Sequence, residues 1–501
     1  MRTDPSEENP ERRLHPWSWL FVLVQQLKQF IVPLVALLVF GGGGGPGGFW
    51  AGIGPLIAVG VLVVISVLQY FTYRYRIGRD GLSIRDGWLH RSLREIPYSR
   101  IHNVVLHQGV LHRLFGVAEV RLESAGGQKP EAQMRVLRLD QALALESLIK
   151  HRGQAPDADV PAAQADSLLS LPTAEVIRLG LVSNRGMIVM AAAFGAAWQV
   201  FPDRLLADYF ERFARQLFGY ASHLHYGWLT TAAAAAALLL LAALLLRLLS
   251  VLLALMQYHG FRLSEEQRRL TVERGLLSKL RTSVARRRIQ AWALHEGFLH
   301  RLLKRRSLRI DTAVAEQQGK NDQRALKELA PIATPEACDA LIQRLLPQAD
   351  WPRSQWTPLP ASAWWRLFLP TLVFIGILVL VLVLNARAAW GLLPLLWLPW
   401  SIYASIQQAR RAGYSVDERL VAVRSGWWSR HWRFAEIDKL QALRLVRSPM
   451  DRRMGTASLW LDTAGASGFA PPLQIRFLPE AEARALFSQL SHALARRRMR
   501  W

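Results

Sequence analysis

A single cysteine, Cys338, serves a chain of 501 residues. That scarcity excludes an intrachain disulfide framework and any metal site built from several thiolates. Acidic residues are thin as well: 38 Asp and Glu face 62 Lys and Arg, a formal net charge of +24. The phosphate-cradling GxxxxGK(S/T) loop, the HExxH pair and the GxSxG elbow are all missing, and no pair of carboxylates lies within an apolar segment. Without these signatures the chain is expected to be no enzyme, to hold no metal and to need no cofactor.

What is there is apolar and basic at once: 51% hydrophobic residues, only 20% charged ones, and 19 tryptophans. A soluble chain this basic would carry more charge and less apolar surface. Apolar spans separated by basic modules fit better, as in an inner-membrane protein whose indoles settle at headgroup level. Nucleic-acid binding accounts for the charge but not for the apolar runs, so no nucleic-acid partner is expected.

A spanning helix needs about 20 apolar residues. Six segments are candidates: 17–40, 49–71, 186–201, 229–257, 365–384 and 390–406. The first carries Gln25, Gln26, Lys28 and Gln29; the third is short and rich in alanine. A polar leader and an immediately following second segment argue against a cleaved signal peptide. The uncharged GGGGGPGG turn (41–48) joins the first two segments. Arginines gather at the opposite ends: Arg74, Arg76 and Arg79; Arg262, Arg268 and Arg269; Arg410 and Arg411. That bias places both termini and three polar regions in the cytoplasm. The expected order is a leader (1–16), hairpin (17–72), module (73–152), linker (153–177), hairpin (178–257), module (258–348), linker (349–362), hairpin (363–408) and module (409–501).

The three polar regions are copies of one another. "GLSIRDGWLHRSLREIPYSRIHNVVLHQGVLHRLFG" starts at Gly81, and a shift of 188 residues lands on "RLTVERGLLSKLRTSVARRRIQAWALHEGFLHRLLK" from Arg269. A shift of 339 lands, with one residue of slack, on "RLVAVRSGWWSRHWRFAEIDKLQALRLVRSPMDRRMG" from Arg419. Gly87, Gly275 and Gly426 coincide, as do Arg113, Arg301 and Arg452. Apolar and polar residues alternate as in half-buried strands, with Gly87 at a turn. A helix is expected to close each copy, near 140–151, 334–346 and 479–497. For the second, Thr334 suits the N-cap, Pro335 the first helical position and Glu336 the first turn.

These motifs resemble the bacterial PH-like domain membrane proteins of the YdbS/YdbT type, and among them the long, three-module YdbT-like members. The likeness rests on "HPWSWLF" from His15, then "GLSIRDGWL", "IPYSRIHNV", "GVLHRLFG" and "AEVRLESAGG", and it extends over nearly the whole chain. The second module lacks the glycine after its "HRL" element. The third has Lys439-Leu440 for Arg-Ile and "SPMDRRMG" for "GVLHRLFG". The resemblance implies a PH-like fold, a bent seven-stranded sheet with a capping helix, and a smaller YdbS-like partner with one module. It implies no enzymatic activity.

Several polar residues are candidates for function. His102, His107 and His112 invite a metal reading, but strand alternation points His102 and His107 to opposite faces, and their counterparts include Gln290, Gln441 and Val446. Surface or strand-edge histidine is the better reading. Arg100, Arg288 and Lys439 recur before the same strand, as solvated or ion-paired cations or as contacts to anionic lipid or an acidic partner. Arg286, Arg287 and Arg288, with Lys304, Arg305 and Arg306, make the second module the most basic. Each such cation near a membrane is worth roughly 1 kcal/mol toward anionic lipid. Lys28 and Arg247 fall inside apolar segments, where a charge either snorkels to the interface or faces a bundle interior.

The sequence thus describes an α+β polytopic membrane protein: six transmembrane helices in three hairpins, each followed by a PH-like β-sandwich or barrel module with a C-terminal helix. The expected role is a non-enzymatic inner-membrane scaffold or accessory subunit binding membrane lipid or a YdbS-like partner. A transporter or lipid-handling protein with a cavity among the spans is the alternative, favoured if Lys28 and Arg247 share a polar cavity.

Overall fold

A computed structural model describes residues 11–40, 48–78, 80–87, 91–124, 132–150, 166–200, 208, 211–212, 228–266, 268–312, 326–360, 362–386, 389–464 and 472–496. The first copy of the repeat contributes β2 (Arg74–Ile77), β3 (Gly81–Asp86), β4 (Ser92–Pro97), β5 (Ile101–Gln108), β6 (Val117–Ser124) and β7 (Ala132–Arg138), with β1 (Arg12–Arg13) alongside. The second contributes β9 (Arg262–Glu266), β10 (Arg269–Arg274), β11 (Lys279–Ala285), β12 (Ile289–Glu296), β13 (Arg306–Thr312) and β14 (Glu328–Ala333), preceded by β8 (Asp166–Ser170). In the third these become β16 (Gly413–Val416), β17 (Leu420–Ser425), β18 (Arg430–Glu436), β19 (Leu440–Val446), β20 (Thr456–Thr463) and β21 (Gln474–Pro479), preceded by β15 (Thr357–Pro358).

The strands form where alternation predicts them. In β3, Leu82 and Ile84 are buried while Arg85 and Asp86 face out. The coincident glycines have a backbone reason: Gly87, Gly275 and Gly426 have φ of 106°, 114° and 79°. A side chain is strained there, and a Cβ on Gly275 would lie 2.0 Å from the Ser278 carbonyl oxygen. The closing helices are Leu139–Lys150, Pro335–Leu345 and Glu480–Ala495. Thr334 is the N-cap of the second, accepting from the Ala337 amide at 3.2 Å, with Pro335 in the first turn.

Each module is not a closed unit. The first three strands of one copy and the last three of the copy before it share a sheet, giving the orders β7-β6-β5-β11-β10-β9-β8 and β14-β13-β12-β18-β17-β16-β15. At the ends remain a four-stranded sheet, β1-β2-β3-β4, and a three-stranded one, β19-β20-β21. Antiparallel pairing of β5 with β11 and of β12 with β18 therefore joins the three modules edge to edge. The cores follow the same sharing. Leu420, Ala422 and Phe434 of the third copy pack into the cluster that holds Trp292, Leu308 and Ile342 of the second.

The expectation of six spans in three hairpins is corrected here. Among the described residues two helices are long and apolar enough to cross a membrane, Ala232–Tyr258 and Ala363–Leu384. A third arises only if Thr173–Val182 and Arg185–Gln199, bent by 54°, count as one. The physical reasons differ by segment. Helix Ser18–Phe40 begins docked on protein: Phe21 and Val22 are buried, Phe21 in one cluster with Val117 and Val136 of the first module's sheet. Helix Gly48–Thr72 contributes a shorter apolar stretch, Val59–Thr72, among the described residues. The third segment forms a helix of 16 residues, Arg185–Val200, set off by Ser183 and Asn184 from helix Thr173–Val182. The sixth divides into a 3-10 stretch, Ala389–Trp397, and helix Leu398–Arg411; Pro394 and Pro399 each remove a backbone donor there. The expected turns at 41–47, over most of 202–227 and at Arg387 lie outside the described residues.

Candidate functional site

The densest polar cluster lies where helix Trp228–Tyr258 delivers the chain to the second module. Glu328 of β14 is held there by Arg309 at 3.2 Å, Arg274 at 3.4 Å and Arg185 at 3.7 Å. Tyr258, the last residue of that helix, donates its hydroxyl to the same carboxylate. The Arg185 and Arg274 guanidiniums stand over the Tyr258 ring at 4.7 and 5.0 Å. Burial alone pushes the Glu328 carboxyl up, but the three guanidiniums outweigh it and hold the group below the usual carboxylate range. This node ties the bent helix, the apolar helix and the module together. Its members are scattered from 185 to 328, and no sequence pattern links them.

A second clamp lies nearby. Glu175, in helix Thr173–Val182, accepts from Arg305 Nε at 2.9 Å and Nη2 at 2.7 Å, and from Arg178. The bidentate Arg305 bond keeps Glu175 below its ordinary range.

Several of the cations expected to meet lipid, Arg305 among them, are engaged in internal contacts of this kind. Arg286 donates to the Leu345 carbonyl at the end of helix Pro335–Leu345 and pairs with Glu265 at 3.6 Å. Arg306 pairs with Glu296 at 3.3 Å and Asp339 at 3.6 Å and covers the Trp432 ring. Lys439 donates to the Arg287 carbonyl across the module junction at 3.4 Å. Arg288 is half-buried, and desolvation lowers its pKa. The side chains of Arg100, Arg287 and Lys304 are exposed. Lys28 is exposed on its helix, whereas Arg247 donates to the Leu181 and Ser183 carbonyls at 3.2 and 3.1 Å. Arg247 thus caps the C-terminus of helix Thr173–Val182, and the shared polar cavity of Lys28 and Arg247 that would favour the transporter alternative is not what surrounds them.

An apolar rim surrounds the ends of these helices. The turn after Gly275 is bonded to the last residues of the apolar helix: the Leu276 amide donates to the Met256 carbonyl at 3.0 Å, and the Gly275 amide to that of His259 at 2.9 Å. Leu276 and Leu277 at the turn are exposed, as are Leu114 and Leu302 on the short helices Val110–Leu114 and Phe298–Leu302. In the third copy the matching turn brings Trp427 and Trp428 against Trp400 and Tyr403 of helix Leu398–Arg411. Arg113 donates to the Leu276 carbonyl at 2.7 Å and Arg301 to that of Trp428 at 3.2 Å. The recurrent arginine therefore fastens one module's short helix to the next module's turn, a role its recurrence marked without explaining.

Histidines converge at the second junction more closely than strand alternation suggested. His295 of β12 lies 4.6 Å from His431 of β18 and 5.2 Å from His300, centroid to centroid, and bonds Ser429 at 2.8 Å. In the first copy His107 and His112 are 6.1 Å apart. Among the described residues no group of three or more His, Cys, Asp or Glu is placed to hold a metal ion. Burial first, then His431, His300 and Arg309, press the His295 pKa from 6.5 down to about 3. The opened junction therefore binds the proton that the closed one refuses. Stability from this group is complete above pH 6.5 and is lost as pH falls from there toward 3. Amide exchange in β12 and β18 is expected to rise above its intrinsic pH trend over that range. His295→Asn is expected to reduce the excess; a wild-type profile that follows intrinsic exchange alone would contradict this account.

Three stretches, 22–153, 216–345 and 366–494, match the family model described as Bacterial PH domain. Together they cover most of the chain and coincide with the three repeats. The chain is also 20% identical, over 431 residues, to the UPF0699 transmembrane protein YdbT of Bacillus subtilis (strain 168), a match spanning 81% of this chain and 83% of that protein. No solved structure matches. Repeated modules that share sheets edge to edge, apolar helices that end in module cores and the three family matches agree: this is a membrane-associated protein of the bacterial PH domain family.

Proposed function

We propose that the protein is a non-enzymatic scaffold of the inner membrane. Its joined modules lie along the cytoplasmic surface, rest their apolar rim in the headgroup layer and present their outer faces to a partner membrane protein carrying a similar single module. The observation that carries this reading is the rim itself. Exposed Leu276 and Leu277 lie on a turn whose Gly275 and Leu276 amides bond the end of an apolar helix, and tryptophans gather at the corresponding place in the third copy. Amphipathic indoles favour that depth. The exposed Arg287 and Lys304 add attraction to anionic lipid without a dedicated pocket.

The test uses the full chain in lipid nanodiscs, with an environment-sensitive probe on a cysteine placed at Leu277. Cys338 is fully buried, so the new thiol is the one that reacts. Headgroup-level spin-labelled lipid is expected to quench the probe, more strongly as anionic lipid is added. An unquenched probe would overturn the surface-lying arrangement. Crosslinking in native membranes is expected to capture a smaller membrane protein, and a cytoplasm-dependent reporter fused after Trp501 is expected to be active. Capture of no membrane protein would remove the scaffold reading, and a silent reporter would remove the orientation.

A further inference from the structure

Both junctions within the chain are the same operation. At the first, Val104 pairs with Ser283, Val105 with Thr282 and Leu106 with Arg281. At the second, Trp292 pairs with Phe434, Ala293 with Arg433 and Leu294 with Trp432. Residues paired at one junction are thus the repeat counterparts of those paired at the other, in an unchanged register. Three copies make two junctions and leave one half-junction at each end. β4 is the counterpart of β11 and β18, and β19 that of β5 and β12. Among the described residues each is an edge strand of its sheet. Edges of this length are a pairing hazard unless they are blunted or covered, and β4 presents Leu93 with 66% of its surface exposed.

Charge complementarity says what covers them. The second junction is locked by Arg433 of β18 and Asp311 of β13, 2.5 Å apart with side chains 4% and 8% exposed. The repeat counterparts of this pair are Arg94 on the open edge of the first module and Asp462 on β20 of the third. Both are exposed, and their charges are opposite. Continuing the register sets Leu93 opposite Leu445, Glu95 opposite Leu443 and Arg94 opposite Arg444. Two facing arginines are unfavourable by themselves. Asp462 stands opposite Ala442 in the β19–β20 pair, as Asp311 stands opposite Ala291, and so is placed to receive Arg94 as Asp311 receives Arg433.

We propose that the protein self-associates head to tail. β4 of one copy adds antiparallel to β19 of the next, and Arg94 pairs with Asp462 of the partner subunit. The internal junction is thereby repeated between chains. A heterologous contact of this kind closes into a ring or continues as a row in the membrane plane. The proposal does not depend on the rim lying in the headgroup layer.

The test is made on the full chain in lipid nanodiscs and in native membranes. A variant with Leu93→Cys and Leu445→Cys is expected to give a ladder of disulfide-linked dimers and higher species on mild oxidation, since directly opposed strand residues lie within disulfide reach. Moving the second cysteine to Trp460, on the neighbouring strand, is expected to abolish the ladder. Arg94→Glu is expected to weaken self-association roughly tenfold, the scale of one lost charge pair. Adding Asp462→Arg is expected to restore it, which an unfolded variant would not allow. Three results would overturn the proposal: a single copy per particle at micromolar concentration, a ladder indifferent to cysteine position, or a crosslink to a smaller protein in place of a second copy.

Discussion

Replacing Glu328 by leucine is expected to loosen the second module by about 3–5 kcal/mol, the usual consequence of removing one partner from a buried ion cluster. Glu328 answers three guanidiniums, and the Arg274 side chain is only 9% exposed. Without the carboxylate, Arg185, Arg274 and Arg309 keep their charge and face one another, and the Tyr258 hydroxyl loses its acceptor. The modules share sheets but need not open together, so one global unfolding free energy is a poor readout. Amide exchange in β13 and β14 is more direct, and it is expected to accelerate by roughly 10²-fold or more. The end of helix Trp228–Tyr258 enters the same core, so protease cleavage between helix and module is expected to rise with it. An exchange change below threefold would mean that the node contributes little to holding helix and module together.

Asp311→Ala is expected to act on the same scale but at one place, the junction of β12 with β18. Arg433 would be left buried beside a missing partner, and its Nε and Nη1 already lack acceptors. Opening of β18 is expected to become easier by about 3–5 kcal/mol, while the first junction is unaffected because Thr282 occupies the position of Arg433 there. A second change, Arg433→Met, is expected to recover most of the loss, since an apolar pair of similar volume can replace a buried ion pair at little penalty. Exchange measured strand by strand gives the whole cycle. If the double variant is as loose as Asp311→Ala alone, the ion pair is not what locks the junction.

How much of this was legible beforehand varies with the kind of feature. The repeat register was open to reading, because each copy must solve the same turn and strand problem. Gly87, Gly275 and Gly426 recur where φ is positive, and Thr334 announces a helix start through its own side chain. The PH-like modules followed from the same motifs. The spans did not follow. Hydropathy weighs composition and is blind to the docking of Phe21 on a β-sheet, to the break at Ser183 and to the interruptions near Pro394 and Pro399. The cluster Arg286, Arg287 and Arg288 read as a lipid contact, yet the Arg286 side chain reaches a helix C-terminus within the protein and Arg288 is half-buried, which leaves Arg287 exposed.

By itself, then, the sequence determined the unit, its threefold repetition, its turns and helix caps, and its basic, membrane-adapted character, all of which are local in the chain. The tertiary structure alone decided that half of each module is completed by its neighbour, and which cations are spent on internal ion pairs. It also decided how many apolar runs become uninterrupted helices. The reason is physical. The junctions are made by groups about 120 to 180 residues apart, such as Asp311 with Arg433 and Val105 with Thr282. A backbone edge carries no residue code for its partner.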